Sequence, residues 1–157
     1  AAMLLTYQNL RINLSPSMPY GLWWISENRT PARGDFVSLC LPPEASRFAF
    51  DRGYIGQGTC PDQHESLLKP VAAVAGDVVI VTNDGVKVNG VMLANSAPFG
   101  HDTEGRPMMI VAPGQYVVDP GMVWVIAGHD PRSYDSRYFG PLKTSTINGT
   151  ASALLTK

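Results

Sequence analysis

The sequence predicts a mostly β protein, built from antiparallel sheets with little helix. Thirteen prolines and fifteen glycines are spread along its 157 residues, where they separate short runs rich in valine, isoleucine, tyrosine and tryptophan. Short runs of β-branched and aromatic residues bounded by turn formers are typical of strands. The sequence has no internal repeat, heptad pattern or low-complexity run, which argues against repeat and coiled-coil architectures.

The candidate strands follow one another along most of the chain. Each is a short stretch of mainly aliphatic or aromatic residues. In chain order they cover residues 22–25, 36–41, 68–74, 78–81, 86–88, 91–93, 108–111, 116–118 and 123–126.

Turn signals define several of the connections. Asn83-Asp84-Gly85 and Pro120-Gly121 each separate two predicted strands. Asn89-Gly90 predicts a two-residue type I′ hairpin, because that turn requires positive φ at both central positions. The one predicted helix is short and lies around residues 43–50.

Length and charge narrow the possible functions. We expect one domain over residues 1–157, which is an ordinary single-domain length. The formal net charge is −1 and no basic stripe is present, so no nucleic-acid partner is expected. No apolar run approaches the ~20 residues of a membrane span. We also expect no metal and no cofactor.

Cys40 and Cys60 are the only two cysteines, too few for a tetrahedral zinc site. A disulfide between them would close a loop of about twenty residues and indicate an oxidising compartment. Two independent buried thiols are the alternative.

Ser17 and Lys69 are the candidates for a serine nucleophile and its base. A serine hydroxyl needs a neighbouring base, and lysine serves only when neutral, although its pKa in water is about 10.4. Lys69 alone among the four lysines is enclosed by apolar residues, in Leu67-Leu68-Lys69-Pro70-Val71 and the alanines and valines that follow. Such surroundings lower a lysine pKa.

Plainer interpretations stand beside this one. Ser17-Met18-Pro19 on its own is typical of a turn, and Lys69 on its own is typical of a strand lysine that extends its amine to solvent. His64, His101 and His129 lie in polar loops, and a histidine base for Ser17 is the alternative to Lys69.

Four segments together resemble the boxes of the type I signal peptidase (leader peptidase) family in order and spacing. They are Ser15-Pro16-Ser17-Met18-Pro19, Gly34-Asp35, Lys69 with Gly76-Asp77, and Ser133-Tyr134-Asp135-Ser136-Arg137. The resemblance covers almost the whole chain and implies a signal-peptidase-like catalytic β-fold. It also implies a serine endopeptidase with a Ser17/Lys69 dyad.

Departures from the bacterial housekeeping enzyme point to a narrower group. Proline follows Ser17 at the second position rather than the third, and Arg52-Gly53-Tyr54 and the cysteine pair precede Lys69. These features are similar to the TraF-type peptidases of plasmid conjugation systems, which process a pilin precursor.

The resemblance assigns roles to further residues. The Ser17 backbone N–H and the Ser15 hydroxyl would stabilise the oxyanion. Ser133 would orient the Lys69 amine. Asp135 and Arg137 would form a supporting ion pair behind the site, whereas without the family match they would be an ordinary surface pair in a turn.

The resemblance also implies partners and a location. The substrate would be a pilin precursor or another secreted pre-protein, and the enzyme would be periplasmic. It would be tethered to the inner membrane by an N-terminal segment missing from this chain, of which Ala2-Met3-Leu4-Leu5 would be a remnant. We further predict that the pilin's own amino terminus resolves the acyl-enzyme, which cyclises the pilin.

Three alternatives are open from the sequence. One is a general type I signal peptidase. Another is a catalytically silent β-domain of a pilus or secretion assembly, which would have no need of a desolvated Lys69. The third is a self-cleaving repressor-type domain, which the absence of a DNA-binding segment disfavours.

Overall fold

A computed structural model describes residues 9–28 and 30–157 and confirms the mostly β class. The strands are β1 (Leu10–Asn13), β2 (Gly21–Ser26), β3 (Phe36–Leu39), β4 (Leu67–Val74), β5 (Val78–Thr82), β6 (Gly85–Val88), β7 (Val91–Met92), β8 (Gly114–Val117), β9 (Met122–Val125), β10 (Leu142–Lys143) and β11 (Ile147–Thr156). The helices are α1 (Pro43–Asp51), α2 (Ser136–Phe139) and a 3-10 turn (Thr144–Thr146). The Ala2-Met3-Leu4-Leu5 segment lies outside the described residues.

The strands form two antiparallel sheets. The larger has seven strands in the order β1-β2-β11-β3-β4-β9-β10, and the smaller has four in the order β7-β6-β5-β8. The turn between β1 and β2, strand β4 and the loop after β9 all belong to the larger sheet or border it. The turn carries Ser15 and Ser17, β4 carries Lys69, and the loop carries Ser133 and Asp135.

Strand β4 links the main core clusters because alternate residues along it are buried. Val71 packs with Val37, Leu39 and Val125 in the core of the larger sheet. Ala73 belongs to a second cluster, together with Trp124 and the valines of β5 and β6. Both clusters therefore hold the part of β4 that directly follows Lys69.

The predicted Asn89-Gly90 hairpin is present. Asn89 and Gly90 have φ values of 48° and 83°, and Val88 pairs with Val91. Positive φ at both positions fits the type I′ turn expected from the sequence.

The predicted strands differ from the structure in two ways. Residues 108–111 form no strand: the N–H groups of Met108 and Val111 donate to Gly100 and Arg137 carbonyls, and Met109 is 79% exposed. Pro107 and Pro113 on either side, which lack an N–H, limit ladder pairing there. Conversely, β1, β10 and the ten-residue strand β11 were not predicted from the sequence.

Within the described residues, no helix has the length and apolar character needed to cross a bilayer. The longer helix, α1, has nine residues, and Ser46 and Ala49 are its buried positions. It begins directly after Pro42 with proline at its first position, where the missing N–H costs nothing.

The predicted disulfide is confirmed, with Cys40 bonded to Cys60. Cys40 follows β3 and Cys60 lies in the loop after α1, twenty residues further along the chain. The bond therefore ties α1 and its following loop to the larger sheet.

Removing this bond is expected to lower the free energy of unfolding. Closing a loop of this length stabilises a folded chain by about 3 kcal/mol, mainly by restricting the unfolded state. Urea unfolding of Cys40→Ala/Cys60→Ala, compared with the oxidised wild type, measures the change. Equal midpoints and slopes for the two proteins would contradict the expectation.

Candidate active site

Ser17 lies in the turn that joins β1 to β2, and the Asn13 side chain holds this turn in shape. Asn13 Nδ2 lies 3.0 Å from each of the carbonyl oxygens of Ser15, Met18 and Pro19. Asn13 Oδ1 accepts the Ser15 N–H at 3.1 Å. Asn13 is 6% exposed, so these bonds are shielded from water.

No role for Asn13 was predicted from the sequence. Its position two residues before Ser15 is the signal that was available, because an asparagine side chain that bonds the backbone two residues on forms an Asx turn. The remaining bonds, to Met18 and Pro19, depend on how the turn folds back and are not visible in the sequence.

A small core cluster supports the serine turn from below. Met18 and Trp23 are each 1% exposed and pack with Ile25 and Ala151. The Trp23 indole N–H donates to the Pro19 carbonyl at 3.2 Å. The segment that carries Ser17 is thus anchored by packing as well as by Asn13.

Lys69 lies near the start of β4 and is 3% exposed. Its Nζ donates to Ser133 Oγ at 2.7 Å. Ser133 belongs to the loop between β9 and α2, and its N–H donates to the Asp130 carbonyl at 3.2 Å. The amine is therefore oriented by a hydroxyl from a segment far away in sequence.

Burial lowers the pKa of Lys69 to about 8, although the negative charge of Asp135 acts to raise it. Arg137 also lowers this pKa, and Asp130 raises it. With a pKa of about 8, roughly a tenth of the lysine is neutral at pH 7, compared with well under 0.1% for a lysine in water. Lys69 is thus better suited than an exposed lysine to accept a proton near neutral pH.

One cleft of about 300 Å³ is lined by Ser15, Ser17, Lys69 and Ser133. Ser17 is 5% exposed, and its hydroxyl forms no hydrogen bond within residues 9–28 and 30–157. The Ser17 N–H donates to Ser15 Oγ at 3.3 Å. The two groups predicted to stabilise an oxyanion are therefore neighbours.

Asp135 and Arg137 form an ion pair with no exposed side-chain surface. Arg137 Nε and Nη2 donate to the two carboxylate oxygens at 2.8 and 2.9 Å. The guanidinium also reaches the carbonyls of Asn95, Ala127 and Pro131. Because Asp135 also accepts the Ala127 N–H, the pair fixes both ends of the loop that carries Ser133.

The three histidines lie in different surroundings. His101 lines the cleft, His64 Nδ1 lies 2.8 Å from Ser46 Oγ on α1, and His129 is exposed. None of the three hydrogen-bonds Ser17 within the part of the chain that the structure describes.

The loop of residues 101–103, which lines the same cleft as Ser17, was not predicted as part of the site from the sequence. Asp102 accepts hydrogen bonds from Tyr54 and from Arg106 Nε, and Arg52 lies 3.4 Å away. These contacts fix the wall that carries His101 against the segment after α1. Arg52-Gly53-Tyr54 was noted in the sequence as a family feature, but its partner Asp102 was not.

The model of the signal peptidase family, peptidase S26, matches residues 1–156, and the chain belongs to this family. Proteins similar to this chain indicate a narrower group within the family. A plasmid transfer protein TraF of Escherichia coli is 36% identical over 148 residues, which cover 93% of this chain and 82% of the relative. A probable conjugal transfer protein TraF of Sinorhizobium fredii is 43% identical over 150 residues, with 93% and 77% covered.

A third relative, the conjugal transfer protein TraF of Agrobacterium fabrum, is 38% identical over 149 residues, 93% of this chain and 82% of the relative. A solved structure, signal peptidase I from Enterococcus faecalis, matches with a TM-score of 0.41 and 20% identity, over 77% of this chain and 96% of that one. The chain is a signal-peptidase-like peptidase related to the TraF proteins of conjugal transfer.

Proposed function

We propose that this protein is a serine endopeptidase that uses a Ser17/Lys69 dyad to process a pilin precursor in a plasmid conjugation system. The observation that carries the proposal is Lys69: a buried lysine with a lowered pKa, lining the same cleft as Ser17. Burying a lysine costs stability, so its placement in one cleft with the Ser17 hydroxyl argues for catalysis over a silent β-domain.

In the first half-reaction, Ser17 Oγ attacks the scissile carbonyl carbon and its proton passes to neutral Lys69. The oxyanion that forms would accept bonds from the Ser17 N–H and the Ser15 hydroxyl, replacing the bond that now joins them. Lys69, now an ammonium, then protonates the leaving amine as the peptide C–N bond breaks. The product is an ester on Ser17.

Ser133, Asp135 and Arg137 are proposed to support catalysis by holding Lys69 in place. Ser133 holds the Lys69 amine through the 2.7 Å bond. The Asp135–Arg137 pair holds the loop that carries Ser133, and it has no surface in contact with solvent or substrate. These residues are therefore positioning residues.

In the second half-reaction, the pilin's own amino terminus is proposed to attack the ester carbonyl. A peptide C–N bond forms, the C–Oγ bond breaks, and the amine proton passes through Lys69 to Ser17. An intramolecular amine has a high effective concentration, which favours it over water.

The substrate and this mechanism are tested by incubating the enzyme with the pilin precursor of its own conjugation system. We expect the precursor to lose a peptide and the product to have the mass of a circle. A product one water heavier would refute cyclisation while leaving the peptidase intact. An uncleaved precursor would refute the pilin substrate.

We also propose a periplasmic enzyme at the inner membrane. Exposed apolar side chains border the serine turn: Ile12 and Leu155 flank Leu22 through backbone pairing, and Leu14 and Tyr20 are near. Such a rim fits a lipid surface. Sedimentation with phosphatidylglycerol vesicles tests it, and equal recovery of wild type and Leu14→Asp/Leu155→Asp in the pellet would refute it.

The pH dependence of cleavage is expected to follow Lys69. Only the neutral amine accepts a proton, so kcat/KM should rise with pH and level off above about 8, where burial places this pKa. Initial rates of cleavage of a cleavage-site peptide between pH 6 and 10 measure this rise in kcat/KM. A half-maximal rate near pH ~6.5 would instead indicate a histidine base, and His101, which lines the cleft, would be the candidate.

A further inference from the structure

An apolar trough begins where the catalytic cleft ends. Tyr134 and Tyr138 line both the cleft and a second cavity of about 300 Å³, so the two spaces share a wall. Tyr134 directly follows Ser133, the partner of the Lys69 amine. The trough therefore starts one residue along the chain from the hydroxyl that bonds the Lys69 amine.

Stacked rings form the floor of this trough. Tyr134 stacks on Phe48 at 5.7 Å and on Tyr138 at 5.9 Å, and Phe139 meets Tyr134 edge-on at 5.3 Å. Burial raises the pKa of Tyr134 to about 12, so its phenol stays uncharged. Rigid aromatic rings that are already packed lose little entropy when an apolar side chain contacts them.

The rim of the trough adds two features. Met109 lines the trough and is 79% exposed, which leaves an apolar side chain in contact with solvent. Methionine is flexible and can adapt to a partner of irregular shape. Glu44, in the first turn of α1, is the one charged residue among those lining the trough. An apolar ligand with a neighbouring positive charge is complementary to this pair.

The chemistry at Ser17 decides which part of a substrate reaches the trough. The acyl half must place its carbonyl oxygen at the Ser15 and Ser17 donors. The leaving amine must approach Lys69 to receive its proton. Ser133 accepts a bond from the Lys69 amine, and Tyr134, the next residue, lines the trough. The chain that follows the scissile bond is thus directed toward the trough.

We propose that this trough, which we define by Glu44, Phe48, Met109, Tyr134, Tyr138 and Phe139, binds an apolar segment of the substrate that carries a lysine or arginine on the leaving-group side of the scissile bond. The inference rests on the proposed peptidase function and names a substrate determinant outside the catalytic residues. It implies that a long substrate is recognised at two places, the cleft and the trough.

Steady-state kinetics of Glu44→Lys and Met109→Asp test this proposal. Both residues are exposed, so both variants are expected to fold, which thermal unfolding checks. Each is expected to raise KM for the full-length pilin precursor about tenfold with kcat nearly unchanged, because binding outside the reacting groups is lost. A peptide ending two residues after the scissile bond should be cleaved equally by wild type and variants.

Two matched variants far from the trough serve as controls. Glu27→Lys reverses an exposed acidic residue, and Val91→Asp adds a carboxylate at an exposed apolar position on β7. Neither should change KM. An unchanged precursor KM in both trough variants would overturn the inference alone. Failure of the wild-type enzyme to cleave either substrate would overturn the peptidase proposal, and this inference with it.

Discussion

Ser17→Ala and Lys69→Met are each expected to reduce precursor cleavage by a factor of at least ~10⁴ while leaving the fold intact, since single losses in a nucleophile–base pair have effects of this size. Ser17→Ala removes the atom that forms the ester. Lys69→Met keeps the length and apolar packing of the side chain but removes the amine that accepts the proton. Single-turnover cleavage measured by mass spectrometry gives both rates.

Combining the two substitutions distinguishes a dyad from two independent contributions. If Lys69 acts only by activating Ser17, Ser17→Ala/Lys69→Met should be no slower than Ser17→Ala. Independent roles would make the losses multiply. Ser152→Ala and Lys143→Met are matched controls at exposed positions and should cleave at the wild-type rate. Cleavage by Lys69→Met within about tenfold of wild type would end the lysine-base hypothesis.

Stability should respond to Lys69→Met in a different way from activity. The folded pKa of Lys69 lies below its unfolded value, so the wild type gains stability as pH rises from about 8 toward 10.5. Lys69→Met lacks this dependence. Its unfolding free energy at pH 7 is expected to stay within about 1 kcal/mol of wild type, because removing a buried amine offsets the lost bond to Ser133.

Local patterns were enough to predict part of this molecule. Alternating apolar residues predict short strands. The Asn89-Gly90 hairpin can be predicted because it depends on two adjacent residues only. Cys40 and Cys60 could be paired because no other cysteine competes. The order of the family boxes singled out Ser17 and Lys69, which the fold brings to one cleft.

Features that depend on distant partners were not predictable in this way. Strand β11 contains Asn148, Gly149 and Ser152, which weaken its strand pattern. It forms because it pairs with β2 on one side and with β3 on the other. Helix α2 has only four residues, and Asp135 caps it by accepting the Arg137 N–H. The bonds of Asp102 to Tyr54 and Arg106 likewise arise only when separate loops meet.

Asp135→Ala is expected to destabilise the protein by about 3–5 kcal/mol, because it leaves the Arg137 charge buried without its counterion. The substitution also removes the acceptor of the Ala127 N–H. Urea unfolding at pH 7 measures the loss, and Asp84→Ala at an exposed turn is the matched control, expected within ~0.5 kcal/mol of wild type. A loss below ~1 kcal/mol for Asp135→Ala would mean that the pair behaves like a surface ion pair.

Removing both charges separates the cost of an unpaired ion from the value of the pair. Asp135→Leu/Arg137→Met should recover much of the stability lost by Asp135→Ala, since no buried charge remains. Asp135 raises the pKa of Lys69 and Arg137 lowers it. In Asp135→Ala, the rise of any residual cleavage with pH should therefore occur at lower pH. In the double variant it should return toward pH 8. Recovery of stability without recovery of cleavage would show that the pair serves mainly to position Ser133. Apolar side chains can fill the space, but they cannot bond the Ala127 N–H and the Pro131 carbonyl of the loop.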